Sequence, residues 1–295
     1  MTATQTARAK VNLYLHVAAP DARGWHPLQS LVMFADCGDT VSLTDDGGRS
    51  ITGPFGAGLS TGEDNLIWKA VRAFEQTAGV TIRHGLHLDK QLPIASGLGG
   101  GSADAGAALR LLREAYAPQM ADDLLDTIAA KTGADGVMCL RSETAFAEGY
   151  GERLTAVKLP CVPCVLVNPG VACATADVYA GFDALEPFAA IEAKGGEAKG
   201  GEAKAGFADI VNLNGLVAAL AATRNDLEPA AIRLQPVIAE VLAELRGQPQ
   251  TLLARMSGSG ATCFALCADD ESASALASRM QTILPGGWVR ACRLG

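Results

Sequence analysis

Long apolar runs are missing from this chain. No stretch of about 18 apolar residues occurs, so no membrane-spanning helix is expected. The opening residues, Met1 to Lys10, are polar and lack an apolar block, which argues against a secretory signal and for a cytoplasmic protein. A basic surplus is missing as well. Lys and Arg total 24 against 32 Asp and Glu, a net charge of -8. Without a cationic field, neither a nucleic acid nor a membrane is an expected partner. Any anionic ligand must be met locally, by backbone amides, helix ends and a few placed cations. Histidines with ligand spacing are also lacking: His16, His84 and His87 read as ordinary strand residues.

What is present is ample core. The 295 residues are 49% hydrophobic and 19% charged, enough for one large domain or two ordinary ones. Wholesale disorder and collagen-like architecture are excluded. Eight cysteines in such a chain read as reduced thiols. Cys161-Val-Pro-Cys164, with Cys263 and Cys267, has a metal-like or redox-like look. No histidine lies nearby and Pro163 sits in a strand-like run, so buried apolar cysteine is favoured.

Hydrophobic periodicity places the elements. Val11, Leu13, Leu15 and Val17 alternate with Lys10, Asn12, Tyr14 and His16, a strand with one apolar and one polar face. The turn Pro20 to Gly24 leads into Trp25-His26. Strands are predicted from Leu28 to Phe34 and around Val41-Leu43, and a helix from Glu63 to Ala78 that stops at Gly79. Leu86, Leu88 and Leu92 mark another strand. Helices follow over Ser102–Tyr116 and Asp122–Lys131, with Asp135 just beyond the second. Later come a strand at Val165–Val167, helical pattern over Asp226–Leu245, strands flanking Ser257–Gly260, a helix over Asp269–Ile283 and a last strand at Trp288–Leu294. This mixed order predicts α+β layers. Glu192 to Gly206 repeats Glu-Ala-Lys-Gly-Gly with period five and reads as a mobile surface insertion without chemistry.

The strongest chemical signal is Leu92-Pro93-Ile94-Ala95-Ser96-Gly97-Leu98-Gly99-Gly100-Gly101-Ser102-Ala103-Asp104, set between a strand and an amphipathic helix. Glycines let consecutive N–H groups face one anion, and the helix N-terminus adds unpaired N–H groups and partial positive charge. The arrangement suits a polyphosphate, with Ser102 capping the helix, binding a phosphate oxygen, or both. It is not the P-loop, because no Gly-Lys-Ser/Thr follows. Lys10 alone is an ordinary strand lysine and Asp135 an ordinary turn aspartate. Beside a phosphate loop they suit a cation and a general base for transfer to an alcohol. Trp25 and His26 could stack on and read a flat base, or merely pack a hairpin. Ser257-Gly-Ser-Gly260 is a second glycine turn, anion-facing or a plain hairpin.

Four blocks together resemble the GHMP kinase superfamily: Ala9-Lys-Val-Asn-Leu13 with Gly24-Trp-His26, Leu92-Pro to Asp104, Gly133-Ala-Asp135, and Met256-Ser-Gly-Ser-Gly-Ala261. Their order and spacing cover nearly the whole chain, and Asn225-Asp-Leu-Glu228 is similar to a segment preceding a helix in these enzymes. The resemblance implies a two-domain fold: a ribosomal protein S5 domain 2-like N-terminal domain, residues 1–157, and a ferredoxin-like C-terminal domain, residues 158–295, with the active site in the cleft between them. It implies ATP on Pro93, Ile94, Ala95, Ser96, Gly97, Leu98, Gly99, Gly100, Gly101 and Ser102. Mg²⁺ is implied too, with Ser102 or Asp104 as its contacts. Asp135 becomes catalytic base with Lys10 beside it. The substrate implied is a small molecule, cytidine diphosphate methylerythritol, phosphorylated on its 2-hydroxyl. Its cytosine would lie between Trp25 and Tyr179 and be read by His26, with Thr175 nearby and Asn12 at the hydroxyl region. A monomer or weak homodimer is expected. Homoserine, mevalonate or a sugar remain alternative acceptors, and a non-catalytic nucleotide-binding regulator an alternative class. The chain departs from the family's usual Val-Pro after the aspartate with Gly136-Val137, expected to loosen the backbone there. It has Trp25 where Tyr is common, and Ala174 where Pro is common.

Overall fold

The computed structural model describes residues 3–185, 207 and 210–295. The period-five repeat at 192–206 lies outside them. Two compact units emerge, each assembled from separate stretches of chain. The first comprises residues 1–10, 37–94 and 99–143; the second comprises 11–36, 95–98 and 144–295. Among the described residues, no helix is long and apolar enough to cross a membrane.

Two long strands thread both units. Strand β1 spans Thr4–Val17, starting upstream of the predicted Lys10. Its polar face is not open as the alternation implied: Lys10, Asn12 and Tyr14 are all buried. The strands predicted at Leu28–Phe34 and Val41–Leu43 are one, β2, Leu28–Thr44. Gly38 lies inside it because β1 runs against the backbone there; a Cβ at 38 would fall 2.1 Å from the Ala7 carbonyl oxygen.

In the first unit, β2 pairs antiparallel with β4 (Gly85–Asp89), which pairs parallel with β3 (Arg49–Thr52). Helix α1, Leu66–Ala78, is capped by the Asn65 side chain on the Ile67 N–H and closed by Gly79 in the left-handed conformation. Helix α2, Gly100–Tyr116, buries Ala103, Ala105, Ala107, Ala108 and Leu109, a small-residue face that admits close neighbours. Helix α3 spans Asp122–Ala130. The six-residue helix α4, Gly136–Arg141, was not foreseen; Asp135 occupies its N-cap rather than trailing α3. Gly106 of α2 meets α4 backbone to backbone, and a Cβ there would lie 2.8 Å from the Cys139 carbonyl oxygen.

The second unit holds the antiparallel order β10-β7-β9-β8: β7 is Val162–Asn168, β8 Leu253–Met256, β9 Cys263–Leu266 and β10 Trp288–Leu294. β5 (Ala145–Gly149) pairs with the first half of β2 and with β6 (Arg153–Ala156). Helices are α5 (Thr175–Asp183), α6 (Leu213–Ala221), α7 (Glu228–Leu234), α8 (Val237–Arg246) and α9 (Asp270–Ile283). Pro236 splits the predicted Asp226–Leu245 helix into α7 and α8, as a residue lacking an N–H must. Its core joins Val165, Val167, Phe182, Leu242, Met256, Cys263 and Leu276. Cys164, Cys263 and Cys267 are buried thiols, whereas Cys161 is exposed.

Gly106→Ala is expected to force α2 and α4 apart and to lower stability by about 1–3 kcal/mol, the usual range for overpacking. Urea midpoints of the two proteins measure this; equal midpoints would show that the helices have slack at that crossing.

Candidate active site

The glycine loop feeds directly into α2. Gly97 and Gly99 take positive φ, 78° and 65°, with Gly99 as the helix N-cap. Ser102 is therefore the third helical residue, inside the first turn, and does not cap the helix as expected. The first intrahelical bond runs from the Ala103 N–H to the Gly99 carbonyl at 2.9 Å. The N–H groups of Gly100, Gly101 and Ser102 precede it and form the positive end of the helix dipole.

A buried triad underlies that turn. Lys90 Nζ donates to Asp39 Oδ2 and Asp104 Oδ2, each at 2.6 Å. Asp39 Oδ1 accepts the backbone N–H groups of Gln91 (2.6 Å) and Leu92 (2.7 Å). Burial and the Asp39 charge push the Asp104 carboxyl up, against the pull of Lys90. Burial opposes the Lys90 ammonium, yet the two carboxylates win and hold it above its ordinary value. Gly100 roofs the triad, since a Cβ there would lie 3.0 Å from Lys90 Nζ. Asp104 does not fit the expected role of metal contact: it is buried and already engaged by an ammonium, the wrong neighbour for a divalent cation. Among the described residues no group of three His, Cys, Asp or Glu could hold a metal ion.

In the same unit Lys10 Nζ meets Asp135 Oδ2 at 2.9 Å. The Lys10 side chain is 9% exposed and the Asp135 side chain 32%, so the ammonium is enclosed while the carboxylate keeps an open edge. Asp135 does not cap α4 with its side chain, which leaves the carboxylate to Lys10. Burial opposes the Lys10 charge, but the Asp135 carboxylate outweighs it and raises the ammonium above its ordinary 10.5. Gly136 was expected to loosen this spot. Instead it is wedged: a Cβ would sit 2.0 Å from the Ala129 carbonyl oxygen, so glycine is what allows α4 to start against the end of α3.

In the second unit the turn Ser257–Gly260 is no exposed hairpin; it is buried and docked onto residues 96–97. Ser257 Oγ accepts the Asn12 backbone N–H (3.1 Å) and donates to the Gly97 carbonyl (3.1 Å). The Thr262 N–H donates to the Ser96 carbonyl at 3.1 Å. Asn225, also buried, donates through Nδ2 to the Met256 (2.9 Å) and Gly258 (2.8 Å) carbonyls and fixes the turn. Thr175 Oγ1 is 3.1 Å from Ser259 Oγ, which ties α5 to it.

The same unit carries the aromatic group. Trp25 is 59% exposed and stands edge-on to Tyr150, centroids 6.1 Å apart. Asp21 receives the N–H of Trp25, the Tyr150 hydroxyl and the Arg23 guanidinium, which hold its carboxyl well below the usual range. His26 Nδ1 donates to the Ala18 carbonyl (2.9 Å), since a carbonyl only accepts, and Nε2 faces Asp183 Oδ1 at 3.4 Å. The Tyr179 ring lies 5.1 Å from His26. The sequence singles out Trp25 and His26 and the resemblance adds Tyr179 and Thr175; the structure sets Asp21, Tyr150 and Asp183, which neither named, against the tryptophan and the histidine. The signal for Asp21 was its place in the turn before the tryptophan.

The Lys10 shift sets a pH dependence. A lysine raised on folding stabilises fully below its unfolded value and loses that contribution as pH climbs through the folded one. Wild type should therefore lose stability above about pH 10.5 more steeply than Lys10→Met. Denaturation midpoints across the alkaline range measure it, and parallel curves would count against the pair.

The GHMP kinases N terminal domain family matches residues 65–143 and the GHMP kinases C terminal family matches 204–286. A 4-diphosphocytidyl-2-C-methyl-D-erythritol kinase of Caulobacter vibrioides is 50% identical over 293 residues, covering 98% of each chain. The protein of the same description from Rhodopseudomonas palustris is 43% identical, covering 99% of this chain and 97% of its own. A crystal structure of 4-(cytidine 5'-diphospho)-2C-methyl-D-erythritol kinase superposes with a TM-score of 0.75 at 29% identity, over 99% of both chains. Homoserine kinase from Cytophaga hutchinsonii, at 20% identity and a TM-score of 0.70, shares the fold. The chain belongs to the GHMP kinase family, within its 4-diphosphocytidyl-2-C-methyl-D-erythritol kinase branch.

Proposed function

We propose that the chain transfers the γ-phosphoryl group of ATP to the 2-hydroxyl of 4-diphosphocytidyl-2-C-methyl-D-erythritol, giving the 2-phosphate and ADP, a step toward isopentenyl diphosphate. The observation that carries this reading is the Lys10–Asp135 pair at 2.9 Å, an acceptor carboxylate with an open edge held by an enclosed ammonium. Relatives half identical over the full length support it.

The roles follow from the chemistry. N–H groups at the start of α2, with the Gly97–Ser102 loop, hold the polyphosphate. Asp135 accepts the proton of the attacking hydroxyl, and the Lys10 ammonium steadies both the carboxylate and the developing alkoxide. The new phosphorus–oxygen bond forms as the bond to the β-phosphate bridging oxygen breaks, and ADP leaves. Such transfer depends mainly on positioning and charge neutralisation. Mg²⁺ would come with the nucleotide's phosphates and supply neutralising charge; Ser102 is the contact this chain can offer it. Trp25 and Tyr179 flank the cytosine, His26 reads its edge, Asn12 serves the hydroxyl region, and Thr175 supports the second glycine turn. The protein acts in the cytoplasm.

Coupled ADP release should be fast with the cytidine diphosphate alcohol and weak with homoserine, mevalonate or galactose; a reversed order would overturn the reading. Asp135→Asn should lower kcat by about 10²–10⁴-fold while leaving ATP affinity in place. Trp25→Ala should raise KM for the cytidine substrate and not for ATP, which steady-state kinetics with each substrate varied in turn will separate.

A further inference from the structure

Asn12 carries an orphan. Its Oδ1 is buried and has no hydrogen-bond partner among the described residues, although Asn12 is only 5% exposed. A buried acceptor without a partner is costly and calls for an account. The other end of the same amide is engaged: Nδ2 donates to Ser30 Oγ at 2.8 Å. Ser30, fully buried on β2, donates to the Tyr14 carbonyl at 2.6 Å.

These contacts determine the direction of every proton in the chain. A carbonyl only accepts, so the single hydroxyl proton of Ser30 belongs to Tyr14 O. Ser30 Oγ can then only accept from Asn12. A reversed amide would set Oδ1 against the serine lone pairs and lose the bond. Asn12 is thereby held with its NH₂ toward Ser30 and its oxygen away from it. Gly258 keeps that oxygen uncrowded: a Cβ there would come within 3.3 Å of Asn12 Oδ1 and 2.9 Å of the Gly97 carbonyl.

We propose that Ser30 is a positioning residue which fixes the Asn12 amide so that a lone acceptor oxygen, and not an NH₂ group, is presented to the alcohol substrate. The identity of that alcohol rests on the kinase reading; the orientation of the amide does not. An oriented acceptor takes a hydroxyl as donor and repels an oxyanion. The contact is available to the alcohol and is lost once the oxygen becomes a phosphate ester with no proton to give. It therefore favours the substrate over its own product.

Two measurements test this. The first needs no substrate: the Asn12 side-chain NH₂ signals in ¹H–¹⁵N spectra, assigned by their loss in Asn12→Asp. In wild type they should exchange slowly with solvent, in Ser30→Ala rapidly, and in Ser30→Thr slowly again. The second is kinetic. Ser30→Ala should raise KM for the alcohol about tenfold, the cost of roughly one hydrogen bond, with KM for ATP unchanged, and Ser30→Thr should restore it. Unchanged amide exchange in Ser30→Ala, or an equal rise in both KM values, would overturn the proposal. Should wild type phosphorylate no cytidine alcohol, the kinase reading fails, and the amide exchange still decides the role of Ser30.

Discussion

An enclosed ammonium keeps its charge only beside a carboxylate, and that constraint organises the first unit. Lys10 has little water around it, so Asp135 must be delivered to within hydrogen-bonding distance. The delivery is made by packing. Gly106 lets α2 and α4 touch through their backbones, Gly136 lets α4 begin against the end of α3, and Gly99 leaves room for the Lys10 side chain, 3.2 Å from where a Cβ would be. Each of these glycines is needed for space. The pair is the outcome of helix spacing as much as of attraction between charges.

The glycine loop consequently has two reasons for its composition. At the helix N-terminus it leaves N–H groups without intrahelical partners. Facing the interior, it must clear its own supports: at Gly97 a Cβ would strike the Ser257 carbonyl at 2.3 Å, and at Gly100 it would crowd Lys90. Phosphate binding and close packing are usually weighed as competing explanations of a glycine run. In this chain the close packing and the N–H groups proposed to hold phosphate fall on the same run of residues.

Much of this was legible in the sequence, and the misses have causes. The loop, α1, α9 and the last strand were readable from glycine spacing and apolar period. Lys10 and Asp135 were each ordinary alone, and only the glycine loop gave them a shared meaning; their pairing spans 125 residues and no local pattern records it. Helix α4 escaped because six residues are too few for a period to show. Capping was one of the two roles open to Ser102, because its chemistry suits a cap, but the left-handed Gly99 starts the helix three residues earlier. Ser30, Lys90 and Asp39 were invisible for a different reason. They look like routine polar residues in or just after strands, and their importance lies in what they orient.

The clamp on the second glycine turn has a consequence of its own. Asn225 fixes that turn with an uncharged amide, and the start of α2 presents peptide N–H groups. Neither device gains or loses a proton across the physiological range, and neither is a mobile cation that dissolved salt can screen. In a chain with surplus negative charge these two features are thus fixed dipoles, and their polarity is set by backbone geometry rather than by the protonation state of a side chain.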